Sequence, residues 1–231
     1  MRWTGHRATG NTTPHTEGKT IRWARLYDLA TTFLSFGRAA ALRRRTVELA
    51  EIAAGERILD VGCGPGRLAI AAAMVAGPAG ETRGLDPGPE MVELAQRKAA
   101  RAGVRVQFEV GVIETLPYPD DHFDVVLSSL MLHHLPDELK RRGLAEVRRV
   151  LRPGGRLMAV DFGATPGEGL GHVVCVLGLR TGWDHAEQLR AMFREAGFAA
   201  VEMGATGLRA LAFIRGRKPA GGPGSDSPKP P

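Results

Sequence analysis

The sequence predicts an α/β fold, a mostly parallel sheet with helices on both faces, and three observations carry that prediction. Short β-like runs alternate with helical patterns between residues 57 and 214, at the pace of successive βαβ units. One run, Phe123 to Leu127, is almost purely apolar, as strands covered on both faces are. The first run, Arg57 to Val61, ends in closely spaced glycines that open a helix.

The elements follow in order. Residues 1–19 are rich in Thr, Gly, His and Arg without apolar periodicity and read as a flexible arm. Residues 21–50 carry helical patterns ahead of the first strand, which suggests an N-terminal helical lid. After the first strand, Arg67 to Val75 is Ala-rich and helical. Thr82 to Leu85 is the second strand, Glu90 to Ala100 a helix, and Val104 to Val110 the third strand. Phe123 to Leu127 is the fourth. Asp137 to Leu151 has helical spacing and runs into Pro153-Gly154-Gly155, a strong stop signal. Arg156 to Asp161 is the fifth strand, and His185 to Ala196 is a helix. Ala199 to Met203 and Leu208 to Ile214 form a closing antiparallel pair, which makes seven strands. The tail, 216–231, is mostly Gly, Pro, Ser and charge and cannot bury enough surface to offset its ordering entropy. The expected organisation is an arm at 1–19, one domain at 20–215 and a disordered tail at 216–231.

Composition narrows the functional classes. The chain has 231 residues, 43% of them hydrophobic and 24% charged, and a net charge of +6. Those values exclude wholesale disorder and collagen-like or coiled-coil structure. No apolar stretch approaches the ~20 residues of a membrane helix, and no secretory signal is visible. Two cysteines, Cys63 and Cys175, support neither a disulfide framework nor a four-cysteine zinc site, and a reducing cytoplasm fits best. A basic chain invites a nucleic-acid reading. However, residues 1–25 carry a net +4 and residues 216–231 a net +2, so residues 26–215 are neutral overall. The excess charge does not mark a specific nucleic-acid surface, although it leaves room for peripheral contact with anionic lipid.

The most informative segment is Ile58-Leu-Asp-Val-Gly62-Cys-Gly64-Pro-Gly66. Glycines there let the backbone approach a ligand without Cβ obstruction. Asp60 sits within the strand end. Asp86 ends the second strand, 20 residues beyond Gly66, where an acid can bond ribose hydroxyls. Together they imply an adenosine-type ligand across the carboxyl ends of the strands. A dinucleotide fingerprint needs a third small residue where Arg67 stands. An acid two residues before the first glycine suits an ammonium or sulfonium better than a pyrophosphate. NAD is therefore the weaker option.

With these residues in hand, the chain resembles the class I S-adenosylmethionine-dependent methyltransferases, most closely the group of ubiquinone/menaquinone biosynthesis C-methyltransferases (methyltransferase type 11). Ile58 to Gly66 resembles the first motif of that family. Gly84-Leu-Asp-Pro87 with Met91 resembles the second. Gly111-Val-Ile-Glu-Thr-Leu-Pro-Tyr and Phe123-Asp-Val-Val-Leu-Ser128 resemble the third-strand loop and fourth strand. Leu151-Arg-Pro-Gly-Gly-Arg-Leu157 is similar to the loop entering the fifth. The resemblance implies a Rossmann-like seven-stranded sheet that binds S-adenosylmethionine and releases S-adenosylhomocysteine. It also implies that Asp60, Gly62, Cys63, Gly64 and Gly66 surround the methionine part. Asp86 and Pro87 would meet the ribose, and Met91 would pack near the adenine. Val112 and Ile113 would line the adenine, chiefly through backbone. Ser128 and Ser129 would face the methyl donor, and Tyr27, in a segment resembling the YD…SFG region, would reach the methionyl end. Two departures matter. Val112 replaces an aspartate that accepts from the adenine amino group in many relatives. The segment Leu130-Met-Leu-His-His-Leu135 differs from the Phe-Gly-Leu-Arg-Asn type of the quinone enzymes and leaves the acceptor open.

Methyl transfer from a sulfonium is an in-line displacement in which the protein aligns donor and acceptor and keeps them dry. His133 and His134, just after the fourth strand, are the candidates for a base or substrate orienter. A purely structural reading places them in the turn before the next helix, bonded to backbone, and places His185 on the surface. Asp161 could ligate a metal, but no second acid lies nearby, so no metal site is expected. Arsenic methylation would require more thiols, and no base-flipping motif is present. The run Lys140-Arg-Arg, with Arg148-Arg149, Glu138 and Glu146, reads as a solvated helix face. The expected activity is methylation of a small lipophilic acceptor on carbon, oxygen or nitrogen. The alternatives are a non-catalytic S-adenosylmethionine-binding or interaction protein on the same fold and, more distantly, an NAD-dependent oxidoreductase.

Overall fold

The computed structural model describes residues 38–163, 182–208 and 211–220. Its elements, in chain order, are α1 (Arg38–Leu49), β1 (Arg57–Val61), α2 (Arg67–Ala76), β2 (Glu81–Asp86), α3 (Pro89–Ala102) and β3 (Gln107–Val110). They continue with β4 (Phe123–Ser129), a single 3₁₀ turn (Leu132–His134), α4 (Asp137–Val150), β5 (Leu151–Phe162), α5 (Gly182–Glu195), β6 (Ala199–Ala205) and β7 (Leu211–Arg217). The seven strands form one sheet in the order β3-β2-β1-β4-β5-β7-β6. The first five are parallel, and β7 runs antiparallel to both β5 and β6. Among the described residues no helix is long and apolar enough to cross a membrane.

The side-chain alternation of the central strands explains both layers of helices. Leu59, Val61, Val126, Leu157 and Ala159 point to the face covered by α4 and α5, where they meet Leu144, Val147, Leu189 and Phe193. Their neighbours Ile58, Val125, Leu127, Met158 and Val160 point the other way, onto Leu42 of α1 and Leu68, Ala72 and Ala76 of α2. A third cluster of Ala95, Ala99 and Phe108 seats α3 beside α2 and β3. Chain order reverses between β1 and β4. Their adjacent carboxyl ends therefore form the switch-point crevice where ligands bind in open α/β sheets.

Several boundaries differ from expectation for visible reasons. β3 starts at Gln107 rather than Val104, because α3 runs on to Ala102 and Gly103 closes it in a left-handed conformation with Val104 N–H on Ala99 O. Leu151 leaves α4 to pair with Phe123. The Pro-Gly-Gly stretch is drawn into β5 because Lys218 pairs with Gly154 and Gly155 through two backbone bonds of 2.9 and 2.8 Å. The domain therefore runs past its expected edge at residue 215. Gly216 and Arg217 belong to β7, and Lys218 Nζ donates to Leu151 O, Arg149 O and Asp121. The expected arm, Tyr27, the 21–37 part of the lid and Cys175 lie outside the described residues.

Candidate active site

The site is built at the carboxyl ends of β1, β2, β4 and β5. Gly62, Gly64 and Gly66 all take positive φ, at 66°, 51° and 74°. Only glycine adopts these angles without strain. Their surroundings separate them. A Cβ on Gly66 would meet Ala95 and Phe108 at 2.6 Å, so that glycine serves the packing of α2 against α3 and β3. A Cβ on Gly62 would collide with the side chain of Met131. Around Gly64 nothing lies within 4 Å of the Cβ position, and there the loop backbone faces open space.

Asp86 ties this loop to the next one. Its carboxylate accepts Gly64 N–H at 2.9 Å and Gly88 N–H at 2.8 Å. Burial raises its pKa, and the two backbone donors oppose that rise. Each oxygen keeps a lone pair for a further donor. Asp60 is 1% exposed and accepts Ala69 N–H in the first turn of α2 at 3.0 Å. Cys63 lies beneath the loop, where burial pushes its thiol well up. Pro87 leads into α3, and Met91 is buried with its N–H on Gly88 O at 3.0 Å. Gly111 N–H donates to Asp86 O and starts the next loop. In that loop the Ile113 side chain packs on Gly143 of α4 and is committed to the core. Val112 offers no side-chain acceptor.

The expected solvated face of α4 holds at Glu138, Arg141 and Arg142, which are exposed, and is corrected at Lys140, Glu146 and Arg149. Arg149 donates to Leu116 O at 3.0 Å, to Tyr118 O at 2.8 Å and to Asp120, and it pairs with Glu146. Glu146 in turn accepts Leu116 N–H at 2.9 Å. Arg149 and Glu146 therefore clamp the loop that follows β3. Lys140 is buried and donates to Asp137, which also accepts from Gln188 of α5.

On the other side of the crevice, Ser128 is buried beside Val61 and Ala159, and Ser129 ends β4. The chain then turns through Leu130, a non-glycine residue at φ 54° whose N–H bonds Val160 O. Such a backbone costs about 1–3 kcal/mol and persists where its surroundings over-determine it. The turn places His133 on Asp161. The imidazole Nδ1 lies 2.7 Å from Asp161 Oδ1, and the backbone N–H of His133 donates to Oδ2 at 3.1 Å. Phe162 N–H also donates to Oδ1, at 2.8 Å. The His133 ring packs on His134 at 3.9 Å and edge-on to Phe162 at 4.7 Å. His133 lies in the 3₁₀ turn before α4, as the structural reading has it, but its ring bonds a carboxylate rather than backbone, and Asp161 is engaged with a histidine. His185 is half-buried rather than exposed on the surface. Its Nε2 is buried without a hydrogen-bond partner among the described residues, and burial lowers its pKa near Asp161, Lys140, His133 and Asp137. The partnership of His133 with Asp161 is absent from the sequence reading. It follows once β4 and β5 are neighbours, because both residues lie at adjacent strand ends.

Residues 58–155 match the family model of a methyltransferase domain. Demethylmenaquinone methyltransferase of Thermus thermophilus is 41% identical over 140 residues, which cover 61% of this chain and 62% of that protein. Arsenite methyltransferase of Halobacterium salinarum is 36% identical over 158 residues, covering 67% of this chain and 40% of that one. The chain spans less than two thirds of the length of either relative. The crystal structure of a SAM-dependent methyltransferase from Aquifex aeolicus superposes with a TM-score of 0.64 at 18% identity, over 86% of this chain and 99% of that one, a likeness of fold. In its 58–155 segment and in its sheet order, the chain is thus similar to methyltransferases, S-adenosylmethionine-dependent ones among them.

Proposed function

We propose that this chain transfers a methyl group from S-adenosylmethionine to a small lipophilic acceptor. The observation that carries the reading is the Asp86 carboxylate, which joins the turns that follow β1 and β2 by accepting Gly64 N–H and Gly88 N–H, next to a Gly64 whose Cβ side is open. A built loop with a free backbone edge and a carboxylate beside it fits a nucleoside with vicinal hydroxyls. Asp60 lies behind that loop and suits the ammonium of a methionyl group.

Each residue then has a task. Gly62, Cys63, Gly64 and Gly66 shape the turn along the methionyl chain, and Asp86 with Pro87 meets the ribose. Met91 closes the adenine side, with the backbone of Val112 and Ile113 opposite. Ser128 and Ser129 border the donor end, and Tyr27 belongs to the segment that would close over it. When bound, S-adenosylmethionine supplies an electrophilic methyl group on a sulfonium. The chain's own work is to hold an acceptor in line with that carbon and to exclude water. The acceptor approaches over the ends of β4 and β5, past His133, His134 and Phe162. An arsenic acceptor is not favoured. The sequence has two cysteines, and the described one, Cys63, is buried with its thiol pushed up rather than poised as a thiolate.

Calorimetry with S-adenosylhomocysteine tests the cofactor site. The wild type is expected to bind, and Asp86→Ala to bind at least about tenfold more weakly through loss of charge-assisted ribose bonds. Equal affinity in the two proteins would remove Asp86 from the site. Binding of NAD in place of S-adenosylhomocysteine would overturn the reading as a whole.

A further inference from the structure

Resting on the methyltransferase reading, we infer that His133 is the proton acceptor for a phenolic or enolic hydroxyl that receives the methyl group, with Asp161 as its positioning residue. Asp161 accepts from three donors around one buried carboxylate: the His133 ring, the His133 backbone and the Phe162 backbone. Its side chain is 3% exposed, against 22% for His133. A carboxylate at 2.7 Å keeps the proton on Nδ1 and leaves the lone pair on Nε2. The ring is thereby locked in the tautomer of a base. The groups around it are Asp161 on β5, His134 on its own turn and His185 on α5, and Lys140 with Asp137 on α4 act on that His185 in turn.

The acceptor class follows from what such a base accomplishes. A neutral amine already carries its lone pair and needs no proton removed before attack, whereas a hydroxyl does. A phenol, with a pKa near 10, lies within reach of an imidazole, and an aliphatic alcohol lies far beyond it. Phe162 stands edge-on to His133 and is 45% exposed, a flat apolar wall beside the base. In the step, the hydroxyl proton passes to His133 Nε2 and the oxygen lone pair forms the new C–O bond. The S–CH₃ bond breaks with its electrons going to sulfur, which yields a methyl ether, S-adenosylhomocysteine and one proton released from the imidazolium.

The test has two arms. Nitrogen NMR of ¹⁵N-histidine-labelled protein, with the His133→Ala variant giving the assignment, reads the tautomer without any acceptor. Protonated Nδ1 in the wild type, with a shifted tautomer balance in Asp161→Asn, is expected; Nδ1 unprotonated in the wild type overturns the dyad. In the second arm, methyl-labelled S-adenosylmethionine is supplied with a bacterial small-molecule extract and the labelled product is identified. A methyl ether on a ring or enol oxygen is expected. Turnover should fall about a hundredfold or more in His133→Ala and Asp161→Asn, with S-adenosylhomocysteine affinity within threefold of wild type. Raising the pH, which ionises the acceptor directly, should restore much of the His133→Ala rate, a response that a merely structural residue does not give. A methyl on nitrogen or carbon overturns the inference, as does full turnover in His133→Ala with the loss falling on His134→Ala. Cofactor binding without any labelled product overturns it too. A wild type that binds no S-adenosylhomocysteine instead removes the methyltransferase reading itself, and this inference with it.

Discussion

At the scale of single residues, the crevice couples protonation to ligand. Burial pushes the Asp60 carboxyl up to about 8, against the opposing bond from Ala69 N–H and with help from the nearby Asp86 carboxylate. The folded protein thus holds this proton more tightly than the unfolded chain, whose carboxyl titrates at 3.8. The corresponding stability is complete below about pH 4 and is lost as pH rises through about 8. Ligand-free protein should therefore be measurably easier to unfold in urea at pH 9 than at pH 6. Asp60→Asn, which keeps an acceptor for Ala69, should flatten that difference; an unchanged slope would mean that Asp60 is not the group responsible. A cationic ligand favours the carboxylate, so binding near neutral pH should release a proton, visible as a dependence of calorimetric heat on buffer ionisation enthalpy.

At the scale of elements, the glycine loop, its helix and the two acids were legible because each rests on local chemistry: positive φ, alternation and strand-end position. The clamp on the loop after β3 was not. Arg149 and Glu146 read as surface charges because helical spacing reveals a face, not what lies across from it. Here a loop that returns from β3 supplies the carbonyls of Leu116 and Tyr118. The same blindness hid the burial of Lys140 and of the His185 Nε2, and the pairing of Pro-Gly-Gly with Lys218, which is distant in sequence. Arg149 is about one-third exposed, which discounts its ion pairs. Truncation to Ala should still cost about 1–3 kcal/mol, because carbonyls and a carboxylate lose their donors together. The loop carries Val112 and Ile113, so Arg149→Ala should also weaken S-adenosylhomocysteine binding several-fold. Unchanged affinity in a destabilised variant would show that the clamp serves the fold and not the site.

At the scale of the molecule, the sheet separates its charges by end. Asp60, Asp86 and Asp161 lie at the carboxyl ends of β1, β2 and β5, an acidic rim suited to a cationic donor. The opposite end is cross-linked by arginines and a lysine: Arg57 and Arg152 on Asp124, Arg215 and Arg217 on Glu51, and Lys218 on Asp121. Part of the positive excess that the sequence assigns to its tail is thus structural. The most buried of these staples is Arg156. It pairs with both oxygens of Glu56 at 2.8 and 2.7 Å and donates to Ala50 O and Glu51 O, each at 2.6 Å. It fixes the end of α1, the start of β1 and β5 to one another. Removing it leaves a mostly buried carboxylate without its counter-charge and two carbonyls without that donor, so Arg156→Ala should destabilise by about 3–5 kcal/mol. Arg156→Lys should recover only part of this, because an ammonium cannot span the fork of acceptors. The staple lies at the far end of the sheet from the crevice, so affinity for S-adenosylhomocysteine in the folded fraction should stay within about twofold of wild type, as expected for distant sites. A loss below about 1 kcal/mol in urea unfolding would show that the buried pair merely offsets its own desolvation, and a large loss of affinity would show that the two ends of the sheet are coupled.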